Sequence, residues 1–403
     1  MRVVQKVVQV AVVAVTKPSL TKTSQQTGRF RWGLVFAGVL GICVPLMAAV
    51  LPENRADIMY HAYSGGGLEV NGPSVLARKS IGKSTSVWGN YYVDTITSAT
   101  IDVVTSASEY TEERTEKSLG ADYLYDNTTL SLSYTNSVEN DFNANAVNFG
   151  ISQLMFGDLT TVTLGYAKGW DVITATGRPS LREEADRQKY KLGLSQVITK
   201  NLLIGLNFET ITDEGFLNNP YREVRYLDGN GGYGKEFEKY PNTRTSHAVA
   251  MRALYYLPYR AAIRGEARGY TDTWGVNGSM AELGYIHPTK QGLTYEISYR
   301  IYSQNNADFY NDLFNREAEF IYRARDKELS TYSTKTIGLG LSYEFKKRSW
   351  GFIDKGSANI FYNRIQIDYE NFRDLRVEGV TPGTEPFYSL SADVFRIFVS
   401  AWY

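Results

Sequence analysis

A chain of 403 residues with 43 basic and 43 acidic side chains has no excess of positive charge with which to hold nucleic acid. Its mean hydropathy of −0.30 excludes a bundle of membrane-spanning helices, because no segment beyond the N-terminal region is apolar enough to cross a bilayer as a helix. Thirty Tyr, 18 Phe and 6 Trp, with 35 Gly against 11 Pro, suit strands and turns bordered by interfacial aromatic rings.

Residues 1–31 carry Arg2, Lys6, Lys17, Lys22, Arg29 and Arg31 and no acid, and an apolar core over 32–46 then ends in Met47-Ala48-Ala49. That is the anatomy of an export signal. The basic region is long and holds a second apolar run at 7–15, and Met47 is a poor residue three positions before the expected cleavage after Ala49. Without residues 1–49 the remaining chain, expected to be a single barrel domain over 50–403, carries about six more acidic than basic groups. The one cysteine, Cys43, lies inside the apolar core, so the exported part has no disulfide, thiolate metal site or Cys-x-x-Cys-His haem attachment. Ile42 is not the small residue that a lipid anchor at Cys43 needs.

From Met59 onward the chain alternates with a period of two. Leu130, Leu132 and Tyr134 oppose Ser131 and Ser133; Leu202, Ile204, Leu206 and Phe208 oppose Gly205, Asn207 and Glu209. Leu293, Tyr295, Ile297, Tyr299 and Ile301 stand against Thr294, Glu296, Ser298 and Arg300, and 337–345 repeats the pattern. Lipid on one face and water on the other accounts for both sets. Short connections near 126–127, 156–158, 199–201, 257–259 and 290–292 alternate with long polar ones near 96–116, 169–186, 212–243, 303–332 and 370–386. In an outer-membrane barrel the short turns face the periplasm and the long loops face outside.

The last segment, 395–403, places Phe395, Ile397, Val399, Ala401 and Tyr403 on one face and ends on an aromatic residue. Counting back from it gives an all-β, transmembrane, antiparallel up-and-down β-barrel of 16 strands, provided that 58–63, before Gly65-Gly66-Gly67, is the first strand. If that segment is an arm or plug, the count is 14. Loop 303–332 reads as a short amphipathic helix able to narrow the pore, and loop 212–243 as a mobile surface lid. Its Asp228-Gly229-Asn230-Gly231-Gly232 lacks the spaced carboxylates and closing Glu of a calcium loop.

Several motifs carry a resemblance: Met59-Tyr60-His61-x-Tyr63-x-Gly65-Gly66-Gly67, Gly72-Pro73-Ser74, Asn90-Tyr91-Tyr92-Val93-Asp94, Ile101-Asp102-Val103-Val104-Thr105, Gly157-Asp158-Leu159-Thr160-Thr161 and Ala324-Arg325-Asp326-Lys327-Glu328-Leu329. Over nearly the whole exported chain the sequence resembles an uncharacterised proteobacterial family of outer-membrane β-barrels, a domain-of-unknown-function family. The resemblance implies no catalytic residue. It does imply gene neighbourhoods with thioredoxin-like proteins, small lipoproteins and flavin-transfer systems, and so lipoprotein partners in the periplasm or outer membrane.

On the inward faces Arg252, Arg264, Glu266, Arg268, Glu282, Glu296, Arg300 and Glu344 come from consecutive strands and form a charge ladder that sets ion preference in an open pore or ties the strands together in a filled one. His61 follows Tyr60 in the first strand and is the histidine to test for a ligand role. Ser246-His247 cannot form a nucleophile–base couple, since neighbours on a strand point to opposite faces, and His287 before Pro288 reads as an interface residue. Glu112-Glu113-Arg114 with Asp94 and Asp102 reads as a solvated acidic outer loop. No metal or cofactor is expected. The functional reading is a pore or weakly selective channel of the Gram-negative outer membrane and not an enzyme. Its alternatives are a barrel that sheathes an envelope redox or maturation complex and, more remotely, a hydrolase.

Overall fold

Residues 50–100, 110–345, 351–377 and 379–403 are described in the computed structural model. The expected export signal and Asp102 lie outside them. The strands are β1 (Arg55–Gly65), β2 (Leu68–Ile81), β3 (Thr85–Ser98), β4 (Tyr110–Tyr125), β5 (Thr128–Val138) and β6 (Phe142–Met155). They continue as β7 (Thr160–Thr174), β8 (Arg182–Thr199), β9 (Leu202–Gly215), β10 (Glu223–Leu227), β11 (Tyr233–Phe237) and β12 (Thr243–Tyr256). The chain finishes with β13 (Ala262–Asp272), β14 (Asn277–Pro288), β15 (Leu293–Gln304), β16 (Tyr332–Phe345), β17 (Lys355–Arg373) and β18 (Phe387–Trp402).

Sixteen of these form one closed antiparallel barrel, while β10 and β11 make a separate hairpin in the connection between β9 and β12. Closure lies between the first and last strands: β1 pairs with both β2 and β18, Ile58 opposite Val399 and Tyr60 opposite Ile397. A closed sheet leaves no row of unpaired backbone groups, the condition for β-structure to sit in lipid. The segment 58–63 is therefore a barrel strand, and the 14-strand count does not arise.

The period of two fixes what faces where. Leu206, Phe208, Ile297, Leu339, Ile397 and Val399 are all exposed large apolar side chains on the outer surface. On β18 Val394 and Arg396 alternate with this outer face and are buried on the inner one, as are Ser246 of β12 and Glu282 of β14. At one end the strands are joined by short turns, where Asp126, Phe156 and Asp158 adopt positive φ. At the other end several connections are long.

Strands run further than the polar composition of their ends suggests. Residues 169–174 and 182–186, expected in a loop, continue the β7–β8 ladder to Thr174 opposite Arg182. Water satisfies a polar outer face as well as lipid satisfies an apolar one, so pairing carries on beyond the apolar band.

Two loop expectations are corrected. Loop 303–332 forms no amphipathic helix; its one helical piece among the described residues is a 3-10 turn, Lys327–Leu329, capped by the Asp326 side chain accepting from the Glu328 N–H. Its backbone bonds go sideways instead: Phe314 N–H donates to the Arg225 carbonyl and Leu227 N–H to that of Phe314, while Lys239 and Arg323 exchange bonds. Loop 212–243 is held rather than free. Asp228 Oδ1 accepts from the N–H groups of Asn230 and Gly232, closing the β10–β11 hairpin. A small apolar core joins the loops, with the Trp274 ring edge-on to Tyr240 and Phe309 at 5.5 and 5.2 Å between centroids.

Candidate functional site: a charged lumen under a loop lid

The eight ladder residues all lie on the inner faces of β12–β16. Arg252 is 2.6 Å from Glu266, directly opposite it in register. Glu266 and Glu282 also oppose one another, a like-charge pair. Arginines flank it: Arg264 reaches Glu282 at 2.6 Å and Glu296 at 3.1 Å, and Arg300 reaches Glu282 at 2.5 Å. Glu344 lies at the short-turn end of the face, opposite Ser357.

Arg268 leaves this group and crosses Ala248 and Ala250 on β12 to approach Glu209 of β9 at 3.7 Å. There it joins Lys189 at 2.9 Å and Lys191 at 3.8 Å, so three cations surround one carboxylate. Sequence reasoning missed this cluster, although Lys189-Tyr190-Lys191-Leu192 alternates in a way that puts both lysines on the polar face. Water reaches these groups: the side chains of Lys191, Arg252 and Arg268 are 56, 52 and 43% exposed.

The opposite wall is tighter. His61 Nε2 lies 2.6 Å from Asp94 Oδ1 and 3.0 Å from the Tyr92 hydroxyl, and the Tyr92 ring stacks on the imidazole. Asp94, fully buried, also holds Arg114 at 2.7 Å. Gly72 stands opposite His61, and any Cβ there would fall 1.9 Å from the Val93 carbonyl oxygen, so glycine lets β2 and β3 approach closely. The reading of Glu112, Arg114 and Asp94 as a solvated outer loop is overturned, because all three are buried. Their positions on β3 and β4 place them on the inner face, where alternation directs them away from the outer surface. Ser246 and His247 do face opposite ways, the serine buried and the histidine exposed beside Thr210. His287 packs with Tyr285 and Tyr259 at a strand end. Among the described residues the only hydroxyl on His61 is that of Tyr92.

The lid joins three connections. Arg225 of β10, 1% exposed, donates to Asp312 Oδ2 of the β15–β16 loop at 2.5 Å and to Glu385 Oε1 of the β17–β18 loop at 2.5 Å. Arg325 donates to Asp312 and to the Arg373 carbonyl, and its N–H to Glu238 Oε1 at 2.7 Å. Arg222 pairs with Asp326, and Arg323 with Glu236 at 2.6 Å. Burial opposes the Glu385 carboxylate, but the Arg225 hydrogen bonds outweigh it and hold its pKa below the ordinary range. Burial pushes Glu238 up to about 7, with Asp326 adding to the rise and Arg222, Tyr240 and the Arg325 N–H opposing it. Tyr221, in the same β9–β12 loop, accepts from the Thr176 N–H and donates to Asp141 Oδ2 of the β5–β6 turn. The lid is thus tied to connections on both sides of the barrel mouth.

A closed 16-stranded antiparallel barrel with an apolar outer belt, a charged interior and its long connections at one end is an outer-membrane β-barrel, and the outer membrane of a Gram-negative bacterium is its location. The chain belongs to the family described as a protein of unknown function (DUF3570), whose match covers residues 102–352. No protein of curated function matches the sequence. Among solved structures the chain is similar to a bacterial polysaccharide outer membrane secretin, at 8% identity and a TM-score of 0.46, covering 87% of this chain and 99% of that one. It is also similar to the CymD monoaromatic hydrocarbon channel, at 8% identity and 0.41, covering 88% and 89%. A third is the toluene transporter TodX of P. putida, at 10% identity and 0.39, covering 87% and 90%.

Proposed function

We propose that this barrel is a weakly anion-preferring solute channel whose outer mouth is governed by the loop lid. The observation that carries the reading is the cluster on β8, β9 and β13, where Lys189, Lys191 and Arg268 share the one carboxylate of Glu209 and remain open to water. Barrels of 16 strands are wide enough for an aqueous channel, and a row of one sign along such a wall raises the local concentration of the opposite ion. The ladder on β12–β16 is closer to neutral and holds its strands in register.

Planar-bilayer recordings in a salt gradient test this. Folded protein should conduct, with a reversal potential on the anion side that moves toward the cation side in Lys191→Glu with Arg268→Glu. The lid lowers conductance, so the recordings should include Arg225→Ala, which releases it. Absence of conductance from that variant sinks the channel reading, and recovery of a stoichiometric lipoprotein with the native barrel would then favour a barrel that sheathes a partner.

A further inference from the structure

At the outer end of β4, β5 and β6 three carboxylates meet with little to neutralise them. Glu112 of β4 and Glu139 and Asp141 of the β5–β6 turn each place an oxygen within 4.8 Å of the others. All are more than nine-tenths buried, at 6, 9 and 7% exposure. Their hydrogen bonds leave the cluster incomplete. Glu112 Oε1 accepts the Asn140 N–H at 3.0 Å, and Asp141 Oδ2 accepts the Tyr221 hydroxyl at 2.5 Å. Asp141 Oδ1 is buried and accepts nothing, and no hydrogen bond or ion pair from the described residues reaches the Glu139 carboxylate. Among the described residues, Arg114, on the same face of β4 as Glu112, is committed to Asp94 at 2.7 Å.

Acidic residues on a solvated turn would spread apart. Here the turn folds inward over β4 and concentrates them, and an orphaned buried carboxylate oxygen is costly unless something positive occupies the space beside it. Hard oxygen donors without nitrogen or sulfur select hard cations. With Ca–O near 2.4 Å, opposed ligand oxygens lie up to about 4.8 Å apart, so the three oxygens accommodate an ion of calcium's size.

We propose that Glu112, Glu139 and Asp141 bind a divalent cation of the calcium type, with Asp141 Oδ1 as a ligand and Oδ2 kept by Tyr221. Because Tyr221 belongs to the β9–β12 loop, the ion sits where that loop meets the β5–β6 turn. The site stands on its own geometry and does not depend on the channel reading.

Chelator-washed, refolded full barrel is titrated with Ca²⁺ by calorimetry and with Tb³⁺ by luminescence. One saturable site is expected, with Kd on the order of 10⁻⁴–10⁻³ M, the range of extracellular calcium modules. Asp141→Asn and Glu139→Gln should each weaken it by about tenfold or more. Glu113→Gln, one residue along β4 on the exposed outer face, should leave it unchanged. Tyr221→Phe keeps Ca²⁺ affinity but loses most of the tyrosine-sensitised Tb³⁺ signal, which locates the ion even if an acidic variant fails to fold. Lack of saturable binding in the parent, or a Tb³⁺ signal indifferent to Tyr221, overturns the proposal.

Discussion

His61 shows how much a single residue's neighbours decide. Its place in the first strand and its inward direction follow from alternation with Tyr60, which is exposed on the outer face. What it touches does not, since Tyr92 and Asp94 lie 31 and 33 positions away and arrive only because β1, β2 and β3 are paired in this register. Asp94 is the hinge of that cluster, fully buried between His61 and Arg114. Asp94→Asn leaves the Arg114 guanidinium buried without its carboxylate, and is expected to lower stability by about 3–5 kcal/mol. Urea unfolding of the vesicle-inserted barrel measures it, and a loss below about 1 kcal/mol, the scale of an exposed pair, would show that water reaches the cluster.

At the scale of elements, strands were readable and loops were not. A strand declares its two faces in its own sequence, as Leu293–Gln304 does. A loop's structure depends on partners elsewhere in the chain. Loop 303–332 has the composition of an amphipathic helix, yet Phe314 and Arg323 bond to β10 and to Lys239, about 85 residues earlier. Arg225→Ala leaves the buried Glu385 carboxylate without its arginine and Asp312 with Arg325 and Arg373 alone, so protease should cut the β9–β12 loop faster while the barrel's melting temperature stays nearly constant. Glu238 makes the lid sensitive to pH. Its folded pKa of about 7 stands above the usual 4.5, so the folded lid favours the protonated form. Its contribution is complete below about pH 4.5 and is lost as pH rises through about 7. Lid proteolysis should therefore be slower at pH 5 than at pH 8, and Glu238→Gln should flatten that difference.

For the whole molecule, the apolar belt and the closing pair β1–β18 do most to fix location. Leu339 sits in the belt opposite Ile297, and Leu339→Arg should cost roughly 2–4 kcal/mol near the bilayer midplane, read by the same urea titration. A smaller loss would mean that this part of β16 lies outside the hydrocarbon. Strand number, strand direction and the side to which the β12–β16 charges point were accessible from the sequence because lipid imposes one rule on every strand. The Glu209 cluster and the lid were not, because they join residues across several strands. Nor was the pocket of Glu112, Glu139 and Asp141, whose burial comes from the fold of a three-residue turn.

The Arg225 contacts also carry a statement about order in time. One arginine, 87 positions from Asp312 and 160 from Glu385, binds both. The second partner lies just before β18, the strand that seals the cylinder against β1. The knot can tighten only when the final hairpin has reached its place, so a half-assembled cylinder keeps its top unfastened. Fastening the mouth is then a record that assembly has finished, written in the salt bridges of the loops.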